Sequence, residues 1–196
     1  KPGEGYSYVC QTLDMGISYY RLVYARLTGE PFVVAETKNL LIREMTTKDL
    51  PELYAVYSTL EDCRYIEQLY DYDKELEFTK NYIKNMYGFF EYGLWLVFEK
   101  KSGELIGRAG IENREIDGVT CREIGYLIRR DMQHKGYAYE ACQAILEYAS
   151  DELGIQEMFA VIDKTNEPSR KLAQKLGFEL YAQTDGGPDL YKFVFG

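Results

Sequence analysis

The sequence predicts an α/β chain of the α+β kind: a mixed, mostly antiparallel central sheet of about seven strands with helices on both faces. Two patterns carry this expectation. The apolar runs "LWLVFEK", "ELIGRAGIE" and "CREIGYLIRR" follow one another through short turns at Ser102-Gly103 and Asp117-Gly118, which makes them antiparallel neighbours in series. Beyond them a long helical pattern, the short strand "EMFAVID", a second helix and two closing strands alternate to the C-terminus.

The elements can be placed in order. In residues 1–38, Tyr20, Val23, Tyr24 and Leu27 recur at helical spacing until Gly29 and Pro31 end the pattern, so this part reads as an N-terminal extension. The chain starts at Lys1 rather than Met, which suits a trimmed fragment. The main domain, 39–196, opens with the strand "NLLIREM"; Thr47, Asp49 and Pro51 then start a helix to about Ser58. After an irregular stretch a second helix is predicted from about Asp73 to Glu91. The remaining predicted helices run from the turn "QHKGYAYEA" to about Leu153 and from Pro168 to Leu176, and "FELYAQT" and "LYKFVFG" close the sheet.

Composition narrows the function classes. No apolar run reaches the ~18 residues of a membrane-spanning helix, and 32 acidic against 23 basic residues give a net charge of −9, which repels nucleic acid. Cys10, Cys63, Cys121 and Cys142 form no CxxC pair, so neither a metal site nor a redox motif is expected, and a reducing, cytoplasmic setting is the simplest reading.

In an acidic chain, "QHKGYAYEA" stands out. A helix beginning here leaves several backbone N–H groups without partners, and the positive end of its dipole favours an anion. Gly136 lets the backbone curl and a phosphate approach, Ala138 is too small to block the next amide, and Gln133 and Lys135 add donors. Arg129 and Arg130 lie just upstream. The glycine patterns of P-loops and dinucleotide folds are absent, so alone the turn is weak evidence.

The run "REIGYLIRRDMQHKGYAYEACQAILEYA" resembles the acetyl-CoA-binding motif of the GCN5-related N-acetyltransferase (GNAT) family, (R/Q)xxGx(G/A) after a central strand. "QHKGYA" matches every fixed position. "NEPSRKLAQKLGFEL" is similar to the family's Asn-led helix ending in Leu-Gly-Phe, in the family's order and separation. The resemblance covers residues 39–195 and leans to the ribosomal-protein alanine acetyltransferase-like branch. It implies a GNAT-like sheet split between its fourth and fifth strands and an acetyl-CoA-dependent transfer of acetyl to a primary amine, with no metal.

By this resemblance the amides of residues 134–138 (His134, Lys135, Gly136, Tyr137, Ala138), with the Gln133 side chain, cradle the pyrophosphate. The pantetheine arm follows the strand ending near Ile128, and Asn166 bonds the cofactor; equally, Asn166 reads as the N-cap before Pro168. A main-chain N–H near Leu127 or Ile128 would meet the oxyanion. Glu123 is the first candidate for general base and Glu112 the second, each with a solvated carboxylate paired to Arg114 or Arg122 as the plain alternative. The family's general-acid tyrosine position holds Ala173 here. Ser169 is the nearest hydroxyl, with Tyr181 or Tyr137 as other donors.

Acids crowd residues 61–77 (Glu61, Asp62, Glu67, Asp71, Asp73, Glu75, Glu77) among Tyr65, Tyr70 and Tyr72, a rim suited to a cationic amine acceptor such as a protein N-terminus or a small-molecule amine. The lone His134 reads as an exposed turn residue. Oligomeric state is open, a homodimer included. The competing reading is a non-catalytic acyl-CoA-binding sensing or interaction module; an unrelated phosphate-binding enzyme is disfavoured by the second motif.

Overall fold

Eight strands form one sheet in the order β1-β2-β3-β4-β5-β6-β8-β7. They are β1 (Val33–Glu36), β2 (Leu40–Arg43), β3 (Leu94–Glu99), β4 (Leu105–Ile116), β5 (Val119–Ile128), β6 (Glu157–Ile162), β7 (Glu179–Ala182) and β8 (Asp189–Val194). The computed structural model describes residues 19–60, 64–116 and 118–196; Cys10, Cys63, Glu61, Asp62 and Asp117 lie outside them. The chain divides into two units, Lys1–Val33 and Val34–Gly196. In the first, residues 19–28 are helical, as the spacing of Tyr20, Val23, Tyr24 and Leu27 predicts, and Gly29 (φ 73°) ends the helix.

From β2 onward every pairing is antiparallel except that of β5 with β6. The sheet thus has one strand more than the seven expected. The addition is β1, a four-residue edge strand in the run assigned to the extension; its half-exposed residues lack the apolar alternation that marks a buried strand.

In the second unit the α-helices are α1 (Leu50–Ser58), α2 (Tyr72–Tyr82), α3 (Tyr137–Asp151) and α4 (Glu167–Leu176). Register and side-chain contacts place them on both faces. Trp95 pairs with Ala109 across β3 and β4, and its ring stacks edge-on to Tyr148 of α3 at 5.5 Å. The next pair, Leu96 and Arg108, points the other way, where Arg108 reaches Tyr57 of α1. Trp95, Ile106, Ile111, Ile145 and Met158 are wholly buried in the core, each contributing roughly 1.5–3 kcal/mol by leaving water.

The second helix differs from its predicted course. It is α-helical only to Tyr82 and continues as a π-helical stretch, Ile83–Phe90. The wider turn accompanies two inward tyrosines, whose rings meet at 90° and 5.5 Å. Tyr82 Oη accepts the Leu94 N–H at 2.6 Å, while Tyr87 Oη donates to the Leu94 carbonyl at 2.5 Å and accepts the Met45 N–H at 3.4 Å. Tyr87 therefore bridges two backbone groups just past the last β2–β3 pair, Arg43 with Leu96. Burial pushes the Tyr82 hydroxyl up to about 12, so it stays protonated.

Candidate active site

The site begins where β5 leaves β6. These strands share a single parallel pair, Glu123 with Phe159, whereas β5 pairs with β4 along its whole length, from Val119 with Ile116 to Ile128 with Gly107. Past Glu123 the two strands diverge, leaving a fork whose rim carries backbone groups without a neighbouring strand. At the end of β5 the chain makes a short 3-10 turn, Arg130–Met132, and then enters α3.

That entry has the properties of an anion cradle. Gly136 is the residue before α3, with φ 88°, and no side chain caps the helix. The first bond of the helix is Glu140 N–H to the Gly136 carbonyl at 3.0 Å, so the amides just ahead of it lie outside the α-helical ladder. A Cβ placed on Gly136 meets nothing within 4 Å, and His134 is also left-handed (φ 60°). An unobstructed curl of backbone donors at a helix start fits a phosphate.

Side chains around the cradle serve to shape it. Gln133 Nε2 donates to the Ile128 carbonyl at 2.9 Å, tying the loop to the end of β5. Tyr137 directs its hydroxyl to Glu99, and Arg129 is held by Asp131 at 2.7 Å and Glu104 at 2.8 Å. Lys135 and His134 are exposed, and Ala138 sits in the first turn.

The two candidate carboxylates stand together at the fork. Glu112 and Glu123 are register partners across β4 and β5, four residues from the Arg108–Leu127 pair and on the same face. Glu123 Oε1 accepts the Val161 N–H of β6 at 3.3 Å, and its Oε2 accepts from Arg114 at 3.3 Å. The plain reading, pairing with Arg114, therefore holds for one oxygen, while the other touches the root of the fork. Glu112 makes no hydrogen bond or ion pair among the described residues, and its Oε2 lies over Gly125, 3.2 Å from where a Cβ would stand.

Burial pushes both carboxyl groups above the ordinary carboxylate range. For Glu112, Arg108 opposes this and Glu67 adds to it; for Glu123, Arg114 opposes it and Glu112 adds to it.

The predicted acidic rim is partly used up internally. Glu75 is buried and accepts the Tyr70 N–H at 2.9 Å, while Tyr54 and Tyr72 pack together, as do Tyr70 and Phe78. Tyr65 shares a 2.6 Å hydrogen bond with Thr165, ahead of α4.

Two open clefts lie away from the fork. One, of about 610 Å³, includes Phe89, Phe90, Arg122 and Glu152; the other, of about 550 Å³, lies along β1 and α3. Neither contains Glu112, Glu123 or the cradle. Among the described residues no group of three or more His, Cys, Asp or Glu side chains could hold a metal ion, and no helix is long and apolar enough to cross a membrane.

The sequence model of the Acetyltransferase (GNAT) domain matches residues 39–179. The chain belongs to the GNAT acetyltransferase family. Among its relatives, Bacillus subtilis YkkB is 33% identical over 134 residues, 68% of this chain and 72% of YkkB. The uncharacterized N-acetyltransferase YnaD of the same organism is 33% identical over 143 residues, 72% of this chain and 79% of YnaD. The ribosomal-protein acetyltransferase RimL in complex with coenzyme A superposes with a TM-score of 0.66 at 15% identity, over 83% of this chain and 97% of RimL, a likeness of fold.

Set in the GNAT fold, the second motif has a distinct local structure. Asn166 caps α4, its side chain accepting the Ser169 N–H at 3.2 Å. Ala173, where the family's tyrosine would stand, is buried. Ser169 Oγ shares a 2.8 Å hydrogen bond with Tyr126 Oη of β5, whereas Tyr137 is committed to Glu99 and Tyr181 packs on Phe159.

Sequence reasoning missed Tyr126 and Arg108. The signal for Arg108 was available, since it is the one charge in the apolar run "LIGRAGI". Tyr126 carried none, because its hydrogen bond to Ser169 joins residues 43 positions apart.

Proposed function

We propose that the protein is an acetyl-CoA-dependent amine N-acetyltransferase acting in a ternary complex. The single observation that carries this is the fork between β5 and β6 opening beside an uncapped, glycine-led helix start, with a carboxylate at its root. The amides around Gly136 would hold the pyrophosphate, and the unpaired edge of β5 up to Ile128 would take the pantetheine arm. Acetyl-CoA supplies the activated acetyl thioester.

The chain's own groups then manage charge and protons. A lysine-like amine with a pKa of about 10.4 is about one part in a few thousand neutral at pH 7, so a base is needed to accept its proton. Glu123, raised by burial toward neutrality and sited at the fork, is the proposed base, with Glu112 beside it. Main-chain N–H groups near Leu127 and Ile128 would face the negative charge that develops on the carbonyl oxygen. As the C–N bond forms and the C–S bond breaks, the hydrogen-bonded pair Tyr126–Ser169 provides a proton for the departing sulfur, replacing the hydroxyl missing at Ala173.

The test is calorimetric titration with acetyl-CoA, combined with thiol release in the presence of a panel of amines. Binding together with amine-dependent release is expected. Binding without release on any amine would favour a non-catalytic acyl-CoA-binding module.

A further inference from the structure

Arg108 is a poorly satisfied buried charge of the sheet. Its residue is only 7% exposed, its Nη1 donates to Tyr57 Oη at a long 3.3 Å, and its Nε is buried without any partner. Among the described residues no carboxylate oxygen comes within 4.0 Å of it. A buried guanidinium without a carboxylate forgoes the attraction that would offset its lost hydration, an effective penalty of several kcal/mol. Such a group calls for an explanation in the state that functions.

Its position supplies one. Arg108 pairs with Leu127 on β5, just past the point where β5 leaves β6. On the same face, the Glu112 carboxylate lies over Gly125, two residues before Leu127. Arg108 and Glu112 feel each other's charge, yet they form no ion pair and Glu112 makes no bond of its own. A cation and a carboxylate are thus held apart on one face of the sheet, each with unused bonding capacity. What completes both at once is a molecule carrying the opposite charges in the same order.

We propose that Arg108 is a specificity residue of the acceptor site, so that the acceptor is a zwitterion. Its amine addresses the Glu112–Glu123 pair and its carboxylate docks on the Arg108 guanidinium. This rests on the acetyltransferase reading above and narrows its substrate class from amines in general to amines bearing a carboxylate. Glu112 then positions the amine, while Arg108 bonds a carboxylate that is equally charged in ground and transition states. Arg108 therefore acts on acceptor KM more than on kcat. Guanidinium is suited to this task because its fixed fork matches a carboxylate in two parallel bonds.

The experiment compares matched acceptors: free α- and ω-amino acids against the same amines with the carboxylate esterified or removed, for wild type, Arg108→Gln and Arg108→Lys. Expected for wild type is at least a tenfold higher kcat/KM on the carboxylate-bearing member of a pair. Arg108→Gln should erase that preference through KM while acetyl-CoA affinity is kept, and Arg108→Lys should restore part of it. Equal turnover of both members by wild type, or a preference that survives Arg108→Gln, overturns the proposal.

The binding arm is independent of turnover. Amino acids are titrated calorimetrically into the protein saturated with coenzyme A. If no amine is acetylated but amino-acid binding is seen and is lost in Arg108→Gln, the zwitterion site stands and the acetyltransferase reading falls. If wild type binds no carboxylate-bearing amine and acetylates none, the zwitterion site is overturned. Should Arg108→Gln fail to fold, Arg108→Lys carries the comparison: its point charge lacks the two-bond fork, so the preference should shrink through KM, and an undiminished preference overturns the proposal.

Discussion

Glu112 and Glu123 are cross-strand partners at the root of the fork, and burial raises the carboxyl pKa of both. Like charges directly opposite each other on adjacent strands destabilise a sheet. The sign of the linkage follows from the raised folded values. Stability from protonating these groups is fully present below the unfolded pKa, about 4.3 for Glu, and is lost as pH rises through the folded pKa. Glu112→Gln should therefore unfold at a higher temperature than wild type at pH 7–8, the difference shrinking below about pH 4. Each kcal/mol regained is worth roughly 2–4 °C in a domain of this size. A pH-independent difference in thermal melts would argue against the charge pair as the cause.

Glu123 and Glu112 separate in kinetics. If Glu123 is the base, Glu123→Gln lowers kcat by about 10²–10⁴ with unchanged acetyl-CoA affinity by calorimetry. Glu112→Gln has a different signature. Removing the neighbour that raises Glu123 lowers the pKa of the remaining base, so the acid limb of the pH–rate profile moves to lower pH. An unaffected rate in Glu123→Gln transfers the role to Glu112 or to solvent.

How much of this was legible depends on the range of the interaction. The turn around Gly136, the N-cap alternative for Asn166 and the antiparallel succession of β3, β4 and β5 are written in local patterns and glycine positions, and they were readable, whereas the insertion of β8 between β6 and β7 has no local signal. β1 was not, because a four-residue half-exposed edge strand has no periodicity to read. The π-helical turn was not either; it accompanies the contacts of Tyr82 and Tyr87 with Leu94, twelve and seven residues downstream of them, past a helix that any periodicity would continue. At the site, Glu123 could be suspected from its strand, but its bond to Val161 and the proximity of Tyr126 to Ser169 join residues about forty positions apart.

The tyrosine bridge predicts a stability cost without a direct catalytic one. Tyr87→Phe removes the hydroxyl that joins the Met45 N–H to the Leu94 carbonyl and leaves both short of a partner. An orphaned buried group costs about 1–3 kcal/mol, read as a lower denaturant midpoint with unchanged m-value. Tyr82→Phe orphans only the Leu94 N–H. The double variant should cost less than the sum of the two, since the hydroxyls share Leu94 and the rings are in contact.

Gly136 offers a test of the cradle that separates strain from obstruction. Its φ of 88° is left-handed, and the space where a Cβ would stand is open. Gly136→Ala should thus cost about 1–2 kcal/mol of stability from the conformation alone, and Gly136→Asn less, because Asn tolerates this region. Acetyl-CoA affinity should fall progressively from Asn through Ala to Val as the approach to the amides fills, measured by calorimetry on folded protein. Affinity indifferent to all three would move the pyrophosphate away from this turn.

The Tyr126–Ser169 pair makes a prediction in pH. A coenzyme thiol with a pKa near 8.5 needs a proton as it leaves at pH 7 and no longer needs one well above that value. Burial raises the Tyr126 hydroxyl, so it remains a protonated donor throughout this range. Tyr126→Phe should lower kcat most at pH 6–7, by about 10-fold or more, and the deficit should close as pH rises past about 8.5. A deficit of constant size would instead mean that Tyr126 only holds Ser169 and α4 in place. Ser169→Ala keeps the phenol but loses its partner, and the double variant should be little worse than Tyr126→Phe, because residues acting as one unit are not additive. If both single variants match wild type at every pH, solvent protonates the sulfur, and the alanine at position 173 is explained without any substitute.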